Sequence, residues 1–172
     1  MLDQLPRVRD EILKAIGNLK GGQEFAVVSI ADGHLQSLSQ STLPNTPRNL
    51  ARAQRFLNGL ATRGEGGQLG ELVRAACAFD PQTVWLITCN VADDGDAEVE
   101  RVLGARASAT FHINTLFWPL EISESNPGIL ASIASRTGGV CVDAEGNVLS
   151  ATAPESKPSS ALPHGPSALD EK

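Results

Sequence analysis

A chain of 172 residues and 18.1 kDa, with 41% hydrophobic and 20% charged residues, can bury a core. That excludes disorder throughout and fits about one domain plus a tail. Fourteen Lys+Arg against twenty Asp+Glu give a net charge of −6 and a pI near 5.0, with no basic block, which disfavours nucleic-acid binding and attachment to an anionic membrane.

Leu5, Val8, Ile12, Leu13, Ile16 and Leu19 recur at three- and four-residue intervals and predict a first amphipathic helix ending at Gly21-Gly22. Phe25 to Ile30 is an apolar, β-branched run that reads as one buried strand, and Asp32-Gly33 turns it into a partner strand around His34 to Leu38. A second helix follows, with Thr46 as N-cap, Pro47 at its first position and Leu50, Ala53, Phe56, Leu57 and Leu60 inward. Leu69, Leu72, Val73, Ala76 and Cys77 mark a third helix that stops near Asp80-Pro81. Thr83 to Thr88 reads as a strand covered on both faces, since its run is almost continuously apolar. An acidic turn from Asp93 to Asp96 opens a short helix to about Leu103. Ala109 to Leu116 reads as a strand, Pro127 to Thr137 as a helix, and Gly139 to Val142 as a last short strand. This alternation predicts an α/β domain over residues 1–149 with a mostly parallel sheet flanked by helices. Residues 150–172 carry prolines and serines without apolar periodicity and read as a disordered tail.

No run approaches the roughly 20 apolar residues that cross a bilayer, and the first residues show no secretory h-region, so a soluble, cytoplasmic protein is expected. Cys77, Cys89 and Cys141 are widely spaced in apolar surroundings, which points to buried thiols in a reducing compartment. Asp93, Asp94, Asp96, Glu98 and Glu100 lie just past a strand's carboxyl end, where open α/β sheets place ligands. Their oxygens suit Mg²⁺ or Ca²⁺ but not with EF-hand spacing, and acids also favour a helix N-terminus without any metal. Gly64 to Gly70 lacks the Gly-Lys-Ser/Thr ending of a phosphate loop and reads as an interhelical turn. His34 and His112 each stand alone and are expected to be structural. Cys89 and Cys141 could act as nucleophiles only with a base that the sequence does not identify. Trp85 and Trp118 are expected to pack in or beside the core.

The order of elements and several phrases resemble the von Willebrand factor type A domain in its bacterial, planctomycete-like form. The phrases are Phe25 to Ile30, Leu43 to Leu57, Gly66 to Ala76, Asp80 to Thr88 and Leu130 to Gly139. The resemblance implies a three-layer Rossmann-like fold and a non-catalytic protein-binding role. In the family a divalent cation is held by an Asp-x-Ser-x-Ser after the first strand, a Thr after a Gly-Gly turn, and an Asp in a Thr-Asp-Gly. Here the corresponding positions read Gly66-Gly67-Gln68 and Thr88-Cys89-Asn90, and the first strand with its loop has no counterpart.

A thiol replaces a carboxylate, a poor exchange for a hard cation, so no metal and no other cofactor is expected. Weak Mg²⁺ or Mn²⁺ binding through Asp93 and Asp94 is the alternative, with cysteine-dependent catalysis a further one. Binding is expected at Gln68, Cys89, Asn90, Asp93 and Asp94, with a protein as partner, no nucleic acid and no membrane insertion. In the family the missing strand lies between those expected at 25–30 and 83–88. These two then pair directly, or another segment or chain fills the place, or the chain is a fragment, Met1 standing where a methionine often follows that first loop. An unfilled sheet position also gives a reason to form homo-oligomers by strand addition.

Overall fold

A computed structural model describes residues 4–31, 33–60, 69–88, 95–106, 109–118 and 127–149. Helix α1 (Gln4–Gly17) turns Ile12, Leu13 and Ile16 toward a small cluster built on Phe25, Leu43 and Ala53. Helix α2 (Pro47–Gly59) starts as its sequence predicts: Thr46 is extended (φ −128°, ψ 154°) and its hydroxyl accepts from Asn49 N at 3.3 Å. Arg9 Nη2 of α1 donates to Leu60 O at 3.0 Å, and Asn45 Nδ2 to Leu19 O at 3.0 Å, so the two helices are tied at their ends.

The predicted strand over 25–30 is two strands. β1 (Glu24–Phe25) pairs with β4 (Leu43–Pro44), and β2 (Val28–Ala31) pairs with β3 (His34–Ser37), all antiparallel. The reason lies in the returning chain, which sets residues 38–42 opposite only Ala26 and Val27. Leu38 N still donates to Val27 O at 2.9 Å, but the excess residues turn on their own Ser39 bonds and interrupt the ladder. The expected hairpin forms, with Ala31 opposite His34 and Gly33 between them at φ 74°.

Helix α3 (Leu69–Cys77) lies against β2 on one side and packs Leu69 and Val73 into the main core on the other. That core belongs to a parallel sheet ordered β5 (Thr83–Thr88), β6 (His112–Phe117), β7 (Cys141–Asp143), with α4 (Gly95–Arg106) and α5 (Pro127–Thr137) as the crossovers. Ile113, Thr115 and Phe117 alternate inward along β6, meeting Leu86, Val99, Val102, Leu130 and Ile133. β6 begins three residues later than its apolar run suggests. Phe111 is buried, but the ladder starts only at Thr83↔His112.

The ladder on the other side of β6 starts later still, at Thr115↔Cys141. Thr137, at the end of α5, fills the place of the missing strand residue. Its hydroxyl accepts from Ile113 N at 3.2 Å and lies 2.9 Å from Ile133 O, its best acceptor. The chain passes so close here that a Cβ on Gly139 would stand 2.1 Å from Ile113 O. Beyond β7 the chain folds back: Val148 bridges Val142, and Leu149 N donates to Cys141 O at 2.8 Å, covering the outer edge of β7.

Two expectations are corrected. β2 and β5 stand in different sheets, and among the described residues no strand joins them. β5 is also not fully covered on both faces: Trp85, expected beside the core, is 52% exposed, whereas Trp118 is buried. The expected tail, 150–172, lies outside the described residues. No helix among the described residues is long and apolar enough to cross a membrane.

Candidate functional site

The carboxyl ends of β5, β6 and β7 and the N-termini of α3, α4 and α5 share one rim of the sheet, the end at which open α/β folds hold ligands. Gln68, Cys89, Asn90, Asp93 and Asp94 all lie outside the described residues. Their immediate neighbours are placed: Leu69 opens α3, Thr88 closes β5, and Gly95 opens α4.

Glu98 ties these neighbours together. It is fully buried, and its Oε1 accepts from Gly70 N at 3.2 Å, so a carboxylate from the first turn of α4 caps the start of α3. Its Oε2 lies 3.1 Å from Arg101 Nη1, an ion pair without hydrogen-bond geometry. Contact is close throughout this rim. A Cβ on Gly70 would lie 3.2 Å from the Arg101 backbone, and one on Gly95 would lie 2.6 Å from Ile129 Cδ1. The N-terminal ends of three helices are therefore held as one block.

Sequence reasoning grouped Glu98 with the acidic cluster and missed this role. The available signal was its spacing, since Glu98, Val102 and Ala105 fall on one face of a helix at intervals of four and three. Glu100 turns outward instead and pairs with Arg136 at 2.6 Å.

Four further reactive side chains of the described residues are engaged in structure, whereas His34 in β3 is exposed. His112 Nδ1 lies 3.1 Å from Thr137 O, as expected of a structural histidine. Cys141 is buried, and burial pushes its thiol above the ordinary value; a Thr115 hydrogen bond offsets this in part and the Asp143 charge adds to it. Cys77 is partly buried with Sγ 3.6 Å from Ala105 O. Asp143 is held below the usual carboxylate range, first by the Asn147 side chain at 2.9 Å and then by the backbone N–H groups of Asn147 and Glu145 at 2.7 and 3.0 Å. Among the described residues no three His, Cys, Asp or Glu side chains group as a metal site. A shallow recess of about 280 Å³ at the same end is lined by Arg7, Asp10, Glu11, Trp118 and Glu145.

No family model and no curated protein matches the chain. Among solved structures, the von Willebrand factor type A protein from Catenulispora acidiphila superposes with a TM-score of 0.66 at 17% identity, over 81% of this chain and 34% of that one. The chain thus spans about a third of the length of that protein. An uncharacterized membrane spanning protein from Vibrio fischeri, at 20% identity over 84% of this chain and 79% of that one, superposes with a TM-score of only 0.31, too loosely to bear on the fold. The α/β architecture of this chain is von Willebrand A-like and Rossmann-like.

Proposed function

We propose that the chain is a non-catalytic protein-binding module that captures its partner at the carboxyl rim of the parallel sheet without a metal ion. The observation that carries the reading is the von Willebrand A-like fold, taken with a rim whose three helix starts are packed as a block through Glu98, Gly70 and Gly95. The side chains carried there, the amides of Gln68 and Asn90 and the carboxylates of Asp93 and Asp94, suit a polar, basic segment. A thiol at Cys89 is a poor ligand for a hard cation, which supports a metal-independent mode. The raised Cys141 thiol speaks for a structural cysteine rather than a nucleophile.

Thermal melting in EDTA and then in Mg²⁺ or Mn²⁺ tests the metal question. A cation at about 100 times its Kd would stabilise the native state by roughly 2.7 kcal/mol, so no change in Tm is expected at millimolar metal. A rise that disappears in Asp93→Asn/Asp94→Asn would overturn the reading in favour of an adhesion-type metal site. Binding itself is tested by charge reversal at Asp93 and Asp94. A captured partner should be lost while Tm stays the same, and retention of the partner would remove the rim as the site.

A further inference from the structure

The two long edges of the parallel sheet are treated differently. The outer edge of β7 is covered by the chain itself, through the Val142↔Val148 bridge and the bond from Leu149 N to Cys141 O. The outer edge of β5 is not covered by any described strand.

The register identifies the groups concerned. His112 N donates to Gln82 O and Trp118 N to Thr88 O, so Gln82, Val84, Leu86 and Thr88 present their peptide groups to β6. In a parallel pair the alternate residues face the opposite way. The N–H and C=O groups of Thr83, Trp85 and Ile87 therefore line the open edge.

Natural edge strands are shortened, bulged, or given proline or lysine. β5 has none of these devices: it is six residues long, regular, and reads Thr-Val-Trp-Leu-Ile-Thr, the composition of a strand paired on both sides. The length of the edge limits what can bind there. Six residues are too few to bury by themselves what a stable dimer needs, so one extended segment fits the edge better than a second folded copy.

We propose that the open edge of β5 accepts one extended segment of a partner protein, about six residues long and rich in β-branched apolar side chains, by β-augmentation. Its backbone would meet Thr83, Trp85 and Ile87. Its side chains on the helix face would meet Val84 and Leu86, and those on the other face would meet half-exposed Trp85. Thr83, Trp85 and Ile87 are not among the residues assigned to the rim.

The test uses the full chain and a synthetic probe, acetyl-Lys-Thr-Val-Ile-Val-Thr-Lys-amide, with a version N-methylated at alternate residues as control. Amide exchange is read residue by residue by NMR. In the free chain the amides of Thr83, Trp85 and Ile87 should exchange at least about tenfold faster than those of Val84 and Leu86. Saturating probe should slow those three by about tenfold or more, leaving Val84 and Leu86 unchanged, while the methylated peptide should have no effect. This alternation is a pattern that general stabilisation would not produce. Three results would overturn the proposal: outward amides already slow in the free chain, no protection at millimolar probe, or a dimer in light scattering whose dissociation releases the same three amides.

Discussion

Replacing Thr137 by Val isolates one buried hydroxyl. Val has nearly the same shape, so the packing of α5 on the sheet is retained, but the acceptor that Ile113 N has among the described residues is removed from a fully buried position. No strand residue can substitute, because the β6–β7 ladder begins two residues further on, at Thr115. An unsatisfied buried donor costs about 1–3 kcal/mol, which for a domain of this size lowers Tm by roughly 2–12 °C. Thr137→Ser keeps the hydroxyl and removes one methyl, at about 1 kcal/mol. The assay is urea unfolding at constant m-value, paired with exchange at the Ile113 amide. That amide should open in the Val variant and stay protected in the Ser variant. A Val variant as stable as wild type, with Ile113 still protected, would show that the hydroxyl does not stand in for a strand partner.

Gly139→Ala should destabilise by about 1–3 kcal/mol or more, because the added Cβ would meet Ile113 O at 2.1 Å and neither backbone can move aside without breaking the Thr137 bonds. Gly95→Ala, whose Cβ would meet only the flexible end of Ile129, should cost clearly less in the same melts. Asp143 titrates below the usual carboxylate range, so its contribution is present above the unfolded-state pKa of about 3.9 and is lost as pH falls through its folded value. Stability curves of wild type and Asp143→Asn should therefore lie apart at neutral pH and converge in acid, and parallel curves down to low pH would refute the assignment. Cys141, buried with a raised thiol, should react with a thiol reagent only as fast as the fold opens. Prompt labelling at pH 6, mapped to Cys141 by mass spectrometry, would contradict its burial.

Much of the architecture was legible wherever a local signal decides structure. Thr46 and Pro47 start α2, β2 and β3 form the expected hairpin with Gly33 at a positive φ, and the apolar stripe of Pro127 to Thr137 is helix α5 to the residue. Legibility failed where the deciding partner is distant in sequence. Phe25 to Ile30 carries no mark of its break, because the break is made by surplus residues on the returning chain. Ala109 to Phe111 are as apolar as a strand, yet β5 has nothing opposite them. Trp85 reads as a core residue, but it lies on the face of β5 opposite buried Leu86 and is 52% exposed. Glu98 looked like one more surface acid because its acceptor role depends on Gly70, 28 residues away. The proposed binding residues on 68 and 89–94 adjoin placed helix starts, but their own arrangement falls outside the described residues.

Ile16, Phe25, Leu43 and Ala53 form one apolar cluster, and the parallel sheet with its three helices forms another, linked where α3 rests on β2. Protection follows shared burial, so amides of the smaller cluster, which lacks an extended sheet, are expected to exchange faster than those of the parallel strands. Faster exchange over α1 and α2 than over β5–β7 would show that the parallel sheet keeps its shape while the smaller cluster breathes.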